Sequence, residues 1–104
     1  MAKYLLLYSG GGMPETEEAQ AAVMKAWDDW FTSIGGAVAD GGNPFTPPRT
    51  RIAADGAVND GTSTASGYSI LEAGSLDAAV GLAKGCPVLQ GGASIDVFET
   101  FEVM

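Results

Sequence analysis

The chain is 104 residues long, carries a formal net charge of −8, and has 46% apolar side chains, 15 glycines and no histidine. That length holds one domain, residues 1–104, and the missing imidazole excludes Ser-His-Asp triads, Cys-His dyads and histidine-bound metals. Thirteen acidic against five basic residues oppose binding to nucleic acid or an anionic membrane, because both rely on clustered lysine and arginine.

Residues 3–8 (KYLLLY) predict a strand that is apolar on both faces, closed by the turn sequence Ser9-Gly10-Gly11-Gly12. A helix follows, with Pro14 near its start and Glu15, Glu17 and Glu18 in the first turn, where the helix dipole favours carboxylates. Its apolar stripe is Ala19, Ala22, Val23, Ala26, Trp27, Trp30, Phe31 and Ile34, and Gly35-Gly36 ends it. Residues 37–40 predict a short strand that runs into the turn-rich segment 41–48 (GGNPFTPP). Residues 49–54 (RTRIAA) predict another, and Asp55-Gly56 is a hairpin signal leading to Ala57-Val58. A loop over 59–66 precedes the strand 67–73 (GYSILEA). Ser75 is placed to cap a second helix with the stripe Leu76, Ala79, Val80 and Ala83, stopped by Gly85 and Pro87. The turn Gln90-Gly91-Gly92 leads into the last strand, 94–103 (SIDVFETFEV).

Cys86 is the single cysteine and has no intrachain partner, so a reducing cytoplasm is the expected setting. No stretch reaches membrane-spanning length, and the apolar run 4–8 is too short for a signal segment. With one cysteine, no histidine and no EF-hand spacing, neither a metal nor a cofactor is expected.

The order β-α-β, hairpin, β-α-β is the split βαβ arrangement of a ferredoxin-like α+β fold, an antiparallel sheet with two helices on one face. The strands, however, are apolar on two faces. Tyr4, Leu6 and Tyr8 oppose Leu5 and Leu7, Ile70 opposes Leu71, and Val97 opposes Phe98. Helices can cover one face only, so a second copy packed sheet to sheet is the expected cover for the other, giving a homodimer.

KYLLLYSGG at the start, IAADGAVNDG, GYSILEA and SLDAAVGLAKGCPVLQGGASIDVFETFEV resemble the corresponding segments of YCII-related (DGPF-domain) proteins over nearly the whole chain. The resemblance implies a dimeric α+β barrel, in agreement with the two-faced strands. The chain departs from the family's Asp-Gly-Pro-Phe signature, keeping only Asp60-Gly61 before Thr62-Ser63-Thr64-Ala65-Ser66. A His-Asp pair proposed for other members cannot form here. Some relatives occur beside sigma-factor genes, which implies a regulatory setting and no particular chemistry.

Glu99 stands out among the candidate site residues. Period-two counting places it on the otherwise apolar face of Ile95, Val97, Phe101 and Val103, where a desolvated carboxylate could act as general acid or base. A bulge or a place at the rim would instead leave it in water. Asp60 is a second candidate carboxylate, although Asn-Asp-Gly is also what a tight turn requires. Trp30 with Tyr4, Tyr8 and Tyr68 can floor a pocket between helix and sheet, the same residues that would otherwise fill the core. Arg49 and Arg51 share a strand face and can clamp a carboxylate, or can keep a solvated edge from aggregating. The glycine loop 9–12 lacks the Lys-Ser/Thr of a phosphate cradle and reads as a turn. These readings favour a cytoplasmic homodimer that binds a small, largely apolar molecule between sheet and helices. A cofactor-independent enzyme using Glu99 or Asp60 beside Tyr8 or Tyr68 is the alternative, and a regulatory protein-interaction module is a third.

Overall fold

Tyr4, Leu6 and Tyr8 alternate with Leu5 and Leu7 along β1 (Ala2–Gly10), and this alternation decides how the chain is layered. The computed structural model describes residues 1–12 and 14–103. After β1 come α1 (Glu17–Ile34), β2 (Val38–Asp40), β3 (Thr50–Ile52), β4 (Val58–Asp60), β5 (Ala65–Ala73), α2 (Leu76–Ala83) and β6 (Ala93–Glu99). The four long-range strands form one antiparallel sheet in the order β2-β5-β1-β6. With α1 and α2 as the two crossovers, this is the ferredoxin-like α+β fold, carrying β3 and β4 as an inserted hairpin.

Both helices pack on the Tyr4-Leu6-Tyr8 face. Trp27, Trp30, Phe31 and Ile34 of α1 meet Leu6, Tyr8 and Leu71, while Ala79 of α2 lies against Tyr4 and Ala73. The aromatic rings fill this layer: Trp27 meets Tyr8 edge-on at 5.7 Å between centroids and Trp30 at 5.8 Å. The Trp30 indole N–H donates to the Leu82 carbonyl at 3.1 Å, tying α1 to the end of α2. One polar side chain lies wholly inside. Ser69 Oγ accepts from the Tyr8 hydroxyl at 2.7 Å and donates to the Gly41 carbonyl at 2.8 Å, so the buried hydroxyl is satisfied on both sides.

The other face carries Leu5 beside Ile70 and Phe98, and Leu7 beside Tyr68. Among the described residues no helix covers it, and the molecule is a plate of 43 × 40 × 18 Å, about one helix layer on one sheet layer.

Local chemistry sets the element ends. Thr16 Oγ1 accepts from Ala19 N–H at 3.1 Å and caps α1, so Glu15 falls outside the helix and only Glu17 and Glu18 occupy its first turn. Ser75 caps α2 in the same way through Ala78 N–H. In the hairpin, Asp55 Oδ1 accepts from Ala57 N–H and Gly56 takes a φ of +90°, which favours glycine. Several expected strand boundaries move. The last strand stops at Glu99 rather than Val103, because Tyr4–Glu99 is its final pair with β1 and Thr100 then turns both its N–H and its hydroxyl onto the Lys3 carbonyl. The strand at 67–73 begins earlier, at Ala65, and Asp60 belongs to β4 rather than to a loop.

Beyond β2 the chain stays alongside β5. Tyr68 N–H donates to Asn43 O, Pro44 bridges to Gly67, and Phe45 N–H donates to Ser66 O at 2.8 Å.

Replacing Ser69 by alanine leaves the Tyr8 hydroxyl and Gly41 carbonyl without partners and is expected to destabilise the fold by about 1–3 kcal/mol in urea denaturation. Adding Tyr8→Phe removes the stranded hydroxyl, so the double variant should lose less than the sum of the singles. Strict additivity would contradict the linked pair.

Candidate functional site

A shallow apolar groove lies where α2, the turn Pro87–Gly91 and the edge strand β6 meet. Val80, Ala83, Lys84, Leu89, Ile95 and Val97 line about 180 Å³ of space. It exists because α2 is only eight residues long and presents alanine to the sheet, so the helix layer thins before it reaches β6. Lys84 brings the one charged side chain to this lining.

Tyr4 and Glu99 sit on the same sheet face, one strand apart in direct register. The Tyr4 hydroxyl donates to Glu99 Oε1 at 3.1 Å. The Tyr4 ring is 1% exposed, whereas Glu99 itself is exposed. Burial raises the Tyr4 phenol above its ordinary range, and the hydrogen bond to Glu99 and its negative charge add to the rise. Glu99 thus has the register expected of it and lacks the burial. It marks the last strand pair, beyond the helix cover, and its carboxylate reaches water.

The other proposed site residues do not gather here. Tyr8 and Trp30 are core side chains, packed rather than lining an open pocket. Tyr68 lies on the opposite face from Tyr4 and Tyr8, because Gly67, not Tyr68, is the partner of Tyr8 across the β1–β5 ladder. Tyr68 stacks on Phe45 at 6.0 Å. The expected grouping of Glu99 or Asp60 with Tyr8 or Tyr68 is therefore corrected: Glu99 meets Tyr4, and Asp60 stands exposed on β4 opposite Thr50.

Arg49 and Arg51 line a second groove, of about 200 Å³, with Thr50, Gly61, Thr62 and Ser63. The Arg49 guanidinium is already engaged, donating from Nη1 to the carbonyls of Ser63 (2.6 Å) and Ala65 (2.7 Å), and from Nε to that of Pro47 (3.1 Å). It holds the base of the hairpin against the start of β5, whereas Arg51 is exposed.

Cys86 is buried beside Tyr8. Burial pushes its thiol up, against the opposing pull of the Val88 backbone and the Tyr8 hydroxyl. Among the described residues, no three Cys, Asp or Glu side chains come close enough to share a metal ion, and no helix is long and apolar enough to cross a membrane.

Sequence reasoning anticipated a site between sheet and helices and filled it with the aromatic residues. The groove is instead lined by aliphatic side chains, and Lys84 and Leu89 carry no signal that separates them from core or surface. The one available clue was Val80, Ile95 and Val97, apolar positions lying toward the side where the short helix runs out.

The element order and sheet topology define a ferredoxin-like α+β domain. Among solved structures the chain is similar to the 5-chloro-2-hydroxyhydroquinone dehydrochlorinase of Burkholderia phenoliruptrix AC1100 in complex with 2,5-dihydroxybenzoquinone. The TM-score is 0.56 and the identity 15%, over 94% of this chain and 93% of that one, a likeness of fold. No protein-family model and no curated protein matches the chain.

Tyr4, Tyr8 and Cys86 all hold their protons more tightly in the folded chain than in the unfolded one, where the ordinary values are 10.0 for the phenols and 9.0 for the thiol. The stability linked to them is complete below those values and is lost as pH rises past them. The urea midpoint should therefore fall between pH 9 and pH 11, and fall less steeply in Tyr8→Phe. A midpoint that stays level would show that these groups titrate alike in both states.

Proposed function

We propose that this chain is a small homodimeric protein of the YCII-related kind that binds a small, largely apolar molecule in the groove between β6 and α2. The observation that carries the reading is the lining itself: five aliphatic side chains and a single ammonium around about 180 Å³. An enclosed apolar cavity of about 150 Å³ is known to take benzene, so this groove suits one ring, with Lys84 as the polar group that orients it. A protein of the same fold holding a one-ring quinone supports that size class.

The dimer is supported by the shape of one protomer. A monomer of 10.6 kDa is expected to expose about 5,500 Å², and this chain exposes 7161 Å². Its radius of gyration of 15.2 Å compares with about 13 Å for a compact domain of this length. The bare face of Leu5, Leu7, Tyr68, Ile70 and Phe98 is the natural place for a second sheet. A cytoplasmic setting with Cys86 reduced fits the same reading, as does the absence of nucleic acid and membrane from the proposed partners of so acidic a chain.

The test is a titration with single-ring probes, 2,5-dihydroxybenzoquinone and benzoate among them, followed by NMR shifts of the backbone amides. Shifts should centre on Val80, Ala83, Ile95 and Val97, and Val80→Phe should weaken binding at least about tenfold by occupying the groove. Shifts elsewhere, or none at millimolar probe, would overturn the reading.

One observation favours a second reading, a cofactor-independent enzyme. The Tyr4–Glu99 hydrogen bond points a phenol at a solvent-reaching carboxylate at the end of the groove's own sheet face, and that carboxylate is placed to take a proton from a bound ring. Under that reading Glu99→Gln abolishes turnover of a bound ring and leaves its binding intact. Turnover that survives in Glu99→Gln removes it.

A further inference from the structure

The hairpin of β3 and β4 has two strands of three residues each and makes no substantial contact with any other strand or helix of its own chain. A two-stranded ribbon by itself is marginal in water. Its base is nevertheless anchored. Arg49 grips the carbonyls of Pro47, Ser63 and Ala65, and Gly61 N–H donates to Arg49 O at 3.0 Å. The fit is close enough that a Cβ at Gly61 would stand 2.6 Å from Arg49 Cγ. The arm is held in one direction, and it displays Ile52 and Val58, directly opposite each other in register and 72% and 67% exposed.

The surplus surface of the protomer points to what covers them. On the bare sheet face, Leu5, Leu7, Tyr68 and Ile70 are already half-buried by their neighbours, so they supply little of a surplus of about 1,700 Å². Residues 43–64, by contrast, are exposed almost throughout. A cover that takes up the most exposed stretch of the chain reaches the hairpin, and a surplus of that order on each protomer matches an obligate homodimer interface. Charge agrees. Residues 41–71 hold two arginines and two aspartates and are neutral, so the net −8 lies entirely outside them. This part of the chain can approach a second copy without net like-charge repulsion.

We propose that the β3–β4 hairpin is an arm that docks on a second copy of this chain, burying Ile52 and Val58 there. The proposal rests on the dimer put forward above and adds the element that grips it. Sedimentation of the full chain tests it, with wild type, Ile52→Ser/Val58→Ser and Phe98→Ser compared. The wild type should be a dimer, and the arm variant should raise its dissociation constant at least about 100-fold with an unchanged circular dichroism spectrum. An arm variant that dimerises as tightly as wild type overturns the arm and leaves the dimer standing, the more so if Phe98→Ser dissociates it. A wild type that sediments as a monomer overturns the dimer and the arm together.

Discussion

β1 is the middle of this protein, and it is apolar on both sides. It pairs with β5 on one edge and β6 on the other. A strand in that place with Tyr4, Leu6 and Tyr8 above and Leu5 and Leu7 below needs a dry surface on each face. The chain has two helices, and both go to one side. The thickness of the plate, the position of the core and the bare lower face all follow from that one mismatch between faces to cover and elements to cover them.

The upper layer is unequally built. α1 is 18 residues long and brings Trp27, Trp30 and Phe31, which fill the volume above Tyr8 and Leu71. α2 is less than half as long and brings alanines, so the layer is thick over one half of the sheet and thin over the other. The groove at Val80, Ala83, Ile95 and Val97 is the step between the two halves. The same thinning lets Glu99 reach water while Tyr4, one strand inward, does not. Packing volume and site geometry here have a single cause.

The architecture was legible because periodicity and turn chemistry are local. KYLLLY, the stripe from Ala19 to Ile34, Asp55-Gly56 and the Ser75 cap each announce an element within a few residues. The site was legible only in outline, because its pieces depend on relations between distant residues. Whether Tyr68 faces Tyr8 is decided by cross-strand register, which a single strand does not encode. The parity of Glu99 could be counted, but its burial depends on where β1 begins and α2 ends. Arg49 looked like half of a cationic pair, and its partners are backbone carbonyls that carry no signature in the sequence.

The segment after β2 has a consequence for how far the sheet can grow. By following β5 through Asn43, Pro44 and Phe45 and then presenting Pro47 and Pro48, it obstructs that border: the prolines lack an amide donor and Phe45 directs its own at Ser66. Within the four-stranded sheet, the border at β6 is the more open one for a further strand. Polymerisation into a fibril requires two such borders on every chain, one to receive and one to offer. With one border of this sheet obstructed, its growth through β6 favours a pair over a fibril.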